Sequence, residues 1–261
     1  KDLSLSINQK DADIFILPMT WNYYFEFGKL NEAIKIIREY EPYKKPILTW
    51  ASGDYSLRVP DGNFLLLQHN LYRSKLKKNH YAYPAIIRDP IKSLNLYGID
   101  LSPESSSFSI SFCGVANKRC ADKYLNSFRE YLFMKKNKYL QPYLIVDTKI
   151  SGMKLRGKIL QSLHDYSRLK TNFIIRDKKD SAHMNKLEYK FQYWNNMLLS
   201  PFTLCIRGNG NFSVRLYETL AMGRIPVIID TDCVFPLESQ IQWRKHCIII
   251  NENIPKKAAM A

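Results

Sequence analysis

The sequence predicts an α/β protein built from two mainly parallel sheets. Short apolar runs of strand length alternate with segments whose apolar residues recur at helical spacing, and this alternation implies crossover connections between parallel strands. The pattern occurs twice, on either side of a serine-rich stretch. We therefore expect two α/β halves that are joined near this stretch.

The first series occupies the N-terminal third of the chain. Its pattern predicts three strands and one helix, at residues 13–18 (strand), 31–40 (helix), 46–50 (strand) and 64–68 (strand). Residues 100–109 are then rich in serine and contain a proline, which is typical of a linker. The sequence thus predicts one domain over residues 1–104 and a second over residues 105–261.

The second series fills the rest of the chain. Apolar runs predict strands at residues 108–114, 172–177, 203–207, 225–230 and 247–251. Helical spacing predicts helices at residues 120–134, 154–166, 183–200 and 213–223.

The composition excludes several classes of protein. Hydrophobic residues make up 46% of the chain and charged residues 24%, which excludes intrinsic disorder. No apolar stretch approaches the ~18–20 residues that a membrane span needs, so we expect no transmembrane helix. Five cysteines at irregular spacing form no zinc pattern and argue against a disulfide framework.

The net charge of +15 is the strongest compositional signal. Such a field attracts phosphates in nucleic acids, anionic lipid headgroups and nucleotide-linked substrates, and it attracts acidic polymers as well. The lysines are scattered rather than clustered, however, so a basic solvated surface explains the charge equally well.

Residues 200–232 predict a phosphate-binding layout of strand, glycine loop, helix, turn and strand. Gly208 and Gly210 flank Asn209, and they allow the backbone to approach a ligand closely. Ser213 is a good N-cap for a helix whose free N–H groups and positive dipole end would face an anion. Gly223 has the position of a helix C-terminal glycine. A plain connection between two elements is the alternative.

Charged side chains near this loop favour a diphosphate. At ~100° per residue, Arg215 and Glu218 fall on one face of the helix, opposite an apolar face formed by Val214, Leu216, Tyr217, Leu220 and Ala221. An arginine near a helix N-terminus opposes the helix dipole unless an anion binds there. Arg207 ends the preceding strand, so the two guanidinium groups could hold a departing diphosphate while Glu218 binds a ribose. An exposed ion pair is the alternative.

The run Leu204–Asp232 contains the pattern R-G-x-G-x-x-S-x-R-x-x-E-x-L-A-x-G-R-I-P-V and resembles the exostosin family of glycosyltransferases. The flanking Ser-Pro-Phe at residues 200–202 and Pro236, Ile241 and Trp243 also fit. The resemblance implies a GT-B fold, with two Rossmann-like domains facing across a cleft. It also implies inverting transfer of a hexose or pentose from a UDP-linked donor on the C-terminal domain to a glycan acceptor, as in polysaccharide biosynthesis.

Position by position, Arg207, Ser213, Arg215 and Glu218 match the family's donor-binding segment. We expect the loop residues 208–210 to bind the donor with them, and Arg207 and Arg215 to act in catalysis. Exostosin-type chains are longer, so the resemblance also predicts a truncated C-terminal domain. A bacterial or viral enzyme would be cytoplasmic, whereas a trimmed N-terminal anchor would place it in the Golgi or ER lumen.

An inverting transferase needs a general base near the acceptor hydroxyl. Asp54 lies in a turn directly after a predicted strand, which is a suitable position, although an ordinary turn aspartate is the alternative. Glu26 and His69 are further candidates. The aromatic cluster of Trp21, Tyr23, Tyr24 and Phe27 could stack on a sugar or belong to the core.

Two D-x-D strings, at residues 11–13 and 230–232, raise the question of a divalent cation. Since two arginines already serve the predicted diphosphate, we predict no metal site and no cofactor besides the nucleotide sugar. Two other functions stay open. One is a fucosyltransferase-like GT-B enzyme that uses a GDP-sugar, and the other is a non-catalytic basic protein that binds nucleic acid or an acidic glycan.

Overall fold

A computed structural model describes residues 4–6, 8–98, 108–116, 142–145, 151–176 and 185–251. In chain order its strands are β1 (Phe15–Ile16), β2 (Ile47–Ala51), β3 (Ser56–Leu57), β4 (Leu65–Gln68), β5 (His80–Ala82), β6 (Ser109–Val115), β7 (Leu144–Ile145), β8 (Lys170–Arg176), β9 (Phe202–Cys205), β10 (Ile225–Asp230) and β11 (Ile248–Asn251). Its α-helices are α1 (Trp21–Glu26), α2 (Leu30–Tyr40), α3 (Pro90–Ser93), α4 (Gly152–His164), α5 (Lys186–Leu198) and α6 (Val214–Ala221).

The N-terminal lobe, residues 8–98, contains a parallel sheet in the order β1-β2-β4-β5. Side chains alternate between the two faces of each strand. On one face Ile47, Ala51 and Leu66 pack in a hydrophobic core with residues of α1 and α2. On the other face Trp50 and Leu67 are only half-buried, and this face lines a cavity.

The C-terminal lobe, residues 151–176 and 185–251 together with β6, contains a parallel sheet in the order β11-β10-β9-β6-β8. Helices cover both of its faces, as parallel sheets require. Leu204 and Ile206 pack on the side of α4, whereas Cys205, between them, packs with Leu216 of α6.

The carboxyl ends of the two sheets face each other. Asp54 follows β2 and contacts Asn209, which follows β9. Asn70 follows β4 and accepts a hydrogen bond of 2.6 Å from the backbone N–H of Asn211. The predicted fold class is therefore confirmed, since the chain has two α/β units with parallel sheets in the GT-B arrangement.

Most predicted elements are present, with ends displaced by a few residues. The structure adds α1, α3, β5 and the antiparallel pair β3–β7, which the sequence pattern did not predict. The short helix α1 depends on a cap, since the Thr20 hydroxyl accepts a hydrogen bond from the N–H of Tyr23. The strands β3 and β7 have two residues each, which is too short for a period to be recognised.

Residues 142–145 pack on the N-terminal lobe, because the ring of Tyr143 stacks on Phe25 at 4.5 Å between centroids. The predicted boundary after residue 104 and the predicted helix at residues 120–134 lie outside the described residues, so the domain division stays a prediction. Of the helices in the described ranges, none combines the length and the apolar character needed to cross a bilayer.

Candidate functional site

The glycine loop, residues 207–213, connects β9 to α6 at the carboxyl edge of the C-terminal sheet. Glycine is required at Gly210 of this loop, and at Gly152 beside it, by the close approach of neighbouring backbone. A Cβ at Gly210 would collide with the carbonyl oxygen of Asp54, and a Cβ at Gly152, the first residue of α4, would collide with that of Gly208. The loop is thus held between the N-terminal lobe and the start of α4.

Two helices begin beside this loop. Ser213 is the N-cap of α6, as predicted, but its side chain makes no capping hydrogen bond. Ser151 is the N-cap of α4, and its hydroxyl accepts a hydrogen bond of 3.4 Å from the N–H of Lys154. Gly223 follows α6 with a φ of 65°, which confirms it as the C-terminal glycine. The positive ends of both helix dipoles therefore lie near the loop.

Arg215 lies on the buried face of α6, so the predicted exposed face for Arg215 and Glu218 is wrong. The buried residues of α6 are Arg215, Leu216 and Thr219, whereas Val214 and Leu220 are 41% and 36% exposed. A long side chain can occupy the core side of a helix when its stem carries the charge to polar partners. For Arg215 those partners are backbone carbonyl oxygens of the sheet.

The guanidinium of Arg215 fills a gap between β6 and β9. These strands pair only at Ser111 and the residue before it, and then they separate. Beyond that point Arg215 donates to the carbonyl oxygens of Cys113 at 2.6 Å and Leu204 at 3.2 Å. Its guanidinium carbon lies 4.3 Å from the centroid of the Phe112 ring. Arg215 thus has a structural as well as an electrostatic role.

Tyr193 of α5 connects Arg215 to Glu218. Burial raises the pKa of the Tyr193 hydroxyl, so this group stays protonated. It donates to Oε2 of Glu218 at 2.6 Å and accepts from Nε of Arg215 at 3.3 Å. The predicted neighbours Arg215 and Glu218 therefore meet through a phenol rather than as a direct ion pair.

Arg156 of α4 is a second guanidinium at the loop, half-buried, and the sequence analysis did not predict it. It donates to the carbonyl oxygens of Val115 at 3.2 Å and Ile206 at 3.3 Å. Its Nε is buried and has no hydrogen-bond partner among the described residues. Burial, together with the nearby charge of Arg215, lowers the pKa of Arg156 to about 10. Within the described ranges, neither arginine forms an ion pair with a carboxylate.

Arg156 and Arg215 line a cavity of about 190 Å³, which we call the basic cavity. Tyr193, Asp54 and most of the glycine loop, including Ser213, form the rest of its lining. The cavity therefore combines two guanidinium groups with the N-terminal end of α6, which is a strong environment for an anion.

Arg207 does not line the basic cavity, although we predicted that it would point to the same place as Arg215. It is buried and lines a separate cavity of about 30 Å³ with His69 and Asn211. The reason is the alternation of side chains along β9 and its extension, which places Arg207 on the same side as Cys205. Glu218 is also absent from the described lining of the basic cavity.

A larger cavity of about 580 Å³ lies on the N-terminal side, and we call it the aromatic cavity. Trp50 and Leu67 contribute the half-buried sheet face, His69 and Tyr83 follow β4 and β5, and Phe212 comes from the glycine loop. Asp54, Phe212 and Val214 line both cavities, so the two cavities adjoin.

The structure separates the three candidates for a general base. Asp54 is exposed where the two cavities meet, and its Oδ2 accepts a hydrogen bond of 3.4 Å from Asn209. His69 lines the aromatic cavity, and burial lowers the pKa of its imidazole. Glu26 is exposed at the end of α1 and lines neither cavity. Of the predicted aromatic cluster, Trp21 and Tyr24 are core residues.

The second D-x-D string, residues 230–232, forms hydrogen bonds between the two lobes. Arg73 donates to Asp230 at 3.4 Å, and the N–H of Ser74 donates to Asp232 at 3.1 Å. The buried Asn211 adds hydrogen bonds to the carbonyl oxygen of Leu71 and from the hydroxyl of Thr231. No cluster of three metal-ligating side chains occurs in the part of the chain that the structure describes.

Sequence reasoning missed Arg156, Tyr193 and Phe212. Arg156 lies in the first turn of the helix predicted at residues 154–166, where the dipole argument applied to Arg215 would have drawn attention to it. Tyr193 and Phe212 left no comparable signal, because an aromatic residue in a helix or loop is usually a packing residue.

Comparison with known proteins gives a family. The Exostosin GT47 domain matches residues 5–260. A probable glucuronosyltransferase of Oryza sativa subsp. japonica is 38% identical over 65 residues, which cover 24% of this chain and 16% of that protein. The probable glucuronosyltransferase 47 A of Physcomitrium patens is 37% identical over 65 residues, which cover 25% of this chain and 14% of that protein.

These plant alignments span only a small part of each relative. The domain match is different, because it extends over nearly all of the sequence. The chain therefore belongs to the exostosin GT47 family of glycosyltransferases.

Proposed function

We propose that this chain transfers a sugar from a nucleotide-sugar donor, whose diphosphate binds in the basic cavity, to a glycan acceptor. The observation that supports this most is the pair of a buried Arg215 and a half-buried Arg156, neither of which forms an ion pair with a carboxylate among the described residues. Burial of an uncompensated charge costs several kcal/mol in general. A bound diphosphate would supply the missing negative charge.

The chemistry of transfer explains why cations are needed here. When the bond between the anomeric carbon and the diphosphate oxygen breaks, negative charge develops on the departing nucleoside diphosphate. Arg156, Arg215 and the first-turn N–H groups of α6 would stabilise that charge. Because these arginines already supply positive charge, we propose that donor binding requires no divalent metal.

On the acceptor side, a hydroxyl group must attack the anomeric carbon and lose its proton. We propose Asp54 as the base, since it lines both cavities and its carboxylate is exposed to them. Attack from the side opposite the diphosphate would invert the anomeric configuration. His69, in the aromatic cavity, is the second candidate for this role.

The remaining predicted residues receive indirect roles in this proposal. Loop residues 208–210 and Ser213 line the basic cavity and would contact the donor. Arg207 lies behind the loop and would position it. Glu218 would orient Arg215 through Tyr193, while its contact with a ribose stays a prediction.

The donor is proposed to be a UDP-linked hexose or pentose. The names of the plant relatives indicate glucuronosyl transfer by those proteins, so UDP-glucuronate belongs in any panel of candidate donors. A GDP-sugar, as in a fucosyltransferase-like enzyme, is the second candidate, because a basic residue and a glutamate on α6 suit that class as well.

A nucleotide screen followed by calorimetry tests the proposal. We expect UDP or a UDP-sugar to raise the melting temperature more than GDP or CMP, and EDTA to leave this effect unchanged. Arg156→Met should weaken nucleotide binding at least ~10-fold, which is about 1.4 kcal/mol. The substitution removes a partly buried, uncompensated charge, but it also removes the donor to the carbonyl oxygens of Val115 and Ile206. Since these two effects oppose each other, the free energy of unfolding should change by no more than about 1 kcal/mol.

Arg168→Met is the matched control. Arg168 is exposed just before β8, at the opposite edge of the same sheet, and its loss should leave affinity unchanged. Equal nucleotide affinities of the two variants would reject the assignment. Binding of single-stranded nucleic acid with steep salt dependence and no nucleotide binding would favour the non-catalytic alternative.

A further inference from the structure

The aromatic cavity adjoins the basic cavity at a wall that both share. Asp54, Phe212 and Val214 belong to the lining of both, and the volume on the aromatic side is about three times larger, at 580 Å³ against 190 Å³. If the basic cavity holds the donor diphosphate, as proposed above, the aromatic cavity is where the acceptor must lie. Its lining therefore indicates the chemistry of the acceptor.

Four rings line this cavity, namely those of Trp50, His69, Tyr83 and Phe212, and we call them the aromatic wall. The imidazole of His69 stacks near Tyr83 and Phe212, with centroids 3.7 Å and 5.4 Å away. Nδ1 of His69 also lies 3.1 Å from the carbonyl oxygen of Tyr83. These contacts hold three of the rings in place before a ligand arrives, which lowers the entropic cost of binding.

The charge of this lining is unusual for the molecule. The chain carries a net charge of +15, yet the described lining of the aromatic cavity contains no lysine or arginine, and its one carboxylate is Asp54. Burial lowers the pKa of His69, so its imidazole is neutral at pH 7. A carboxylate or sulfate on a sugar would meet Asp54 here without a compensating cation.

We propose that the aromatic cavity selects an uncharged oligosaccharide, whose sugar rings stack on the aromatic wall, and that it discriminates against uronate and sulfated glycans. The apolar C–H faces of pyranose rings suit aromatic faces, while Ser52, Asp54 and His69 offer hydrogen-bonding groups to the hydroxyls. The basic character of the protein thus serves the donor and not the acceptor. This inference rests on the proposed function.

The test compares two acceptors that differ only at C6. Cellotetraose and the β-1,4-linked tetraglucuronate share a backbone, and each is titrated into the protein saturated with UDP, with binding followed by calorimetry and saturation-transfer NMR. Xylotetraose and β-1,4-galactotetraose serve as further neutral probes. We expect at least one neutral tetrasaccharide to bind, and the tetraglucuronate to bind at least ~10-fold more weakly than it.

Variants assign the selectivity to this cavity. Trp50→Ala should weaken binding of the neutral tetrasaccharide at least ~10-fold. Trp50→Phe keeps an aromatic face and preserves the fold, so it should weaken this binding less. Phe27→Ala is the control, because Phe27 is exposed on the same lobe and does not line the cavity. Asp54→Asn should reduce the difference in affinity between the neutral tetrasaccharide and the tetraglucuronate.

The outcomes separate this inference from the proposed function. Failure of the protein to bind any nucleotide rejects the proposed function itself. Nucleotide binding without binding of a neutral tetrasaccharide, equal or tighter binding of the tetraglucuronate, or equal effects of Trp50→Ala and Phe27→Ala would each overturn the acceptor inference alone.

Discussion

The basic cavity and the aromatic cavity are lined by different kinds of groups. The basic cavity is lined by two guanidinium groups and the N-terminal end of α6. Hydrogen bonds to backbone carbonyl oxygens hold the two guanidinium groups in place. The aromatic cavity depends on stacked rings and a half-buried sheet face, with Asp54 as the one charged side chain in its described lining. One half is suited to a charged group and the other to an uncharged surface.

This difference also explains where charge is tolerated. In the basic cavity, burial and the nearby charge of Arg215 both lower the pKa of Arg156, so a charged guanidinium is costly at this position. A fold keeps such an arrangement only if something else stabilises it or a ligand completes it. In the aromatic cavity, the rings pack against each other, so that side of the cleft is stable without a ligand.

Loss of Arg215 should produce the largest effect, because it removes function and structure together. Arg215→Ala would leave the carbonyl oxygens of Cys113 and Leu204 without their donor and open space beside Phe112. We expect the free energy of unfolding to fall by roughly 2–4 kcal/mol, as measured by urea denaturation, and nucleotide affinity to fall as well.

Arg168→Ala is the comparison for Arg215→Ala, and it should change stability by no more than about 0.5 kcal/mol. A stable Arg215→Ala protein that has merely lost nucleotide affinity would show that Arg215 is dispensable for the sheet. In that case the contrast drawn between Arg156 and Arg215 would be incorrect.

The joint between the two halves gives the next largest effect. Asn211→Ala removes a hydrogen bond of 3.1 Å to the carbonyl oxygen of Leu71 and one of 2.6 Å from the Thr231 hydroxyl, both buried. We expect a loss of about 1–3 kcal/mol in the free energy of unfolding. Asn209→Ala removes only an exposed contact of 3.4 Å with Asp54 and should cost no more than about 0.5 kcal/mol. Similar losses in both variants would argue against a buried joint at Asn211.

The smallest expected effect is on the pH dependence of stability, and it concerns His69 in the aromatic cavity. Burial lowers the pKa of His69, so the unfolded state binds the proton more tightly than the folded state does. The free energy of unfolding should therefore fall as the pH drops below about 6.5, the usual histidine pKa, and the contribution of His69 is fully present above it. His69→Gln should reduce this acid sensitivity.

His80 provides the check on that experiment, since burial lowers its pKa too but it does not line the aromatic cavity. His80→Gln should also reduce acid sensitivity, without changing acceptor binding. An acid sensitivity that is identical in His69→Gln and the unaltered protein would contradict the buried, neutral imidazole.

The sequence predicted the periodic parts of the fold and the glycine loop between β9 and α6. Strands such as β2, β9 and β10 have clear apolar runs, and the loop from Arg207 to Ser213 has glycines and an N-cap in a fixed order. These features depend on neighbouring residues alone, so a single sequence reveals them. The turn that holds Asp54 was found for the same reason.

The direction of individual side chains was not predictable in the same way. A helical projection treats arginine as polar and places it outward, yet Arg215 turns inward because β6 and β9 separate and expose two carbonyl oxygens. The aromatic wall joins residues from position 50 to position 212. Such long-range arrangements depend on how the two lobes meet, which no local pattern contains.

A crystal structure of the protein with UDP would test the central claim most directly. We expect the diphosphate at the start of α6, in the basic cavity, with phosphate oxygens within about 3 Å of guanidinium nitrogens of Arg156 and Arg215. A diphosphate bound elsewhere, with both arginines still confined to their carbonyl partners and the basic cavity filled by water, would contradict it.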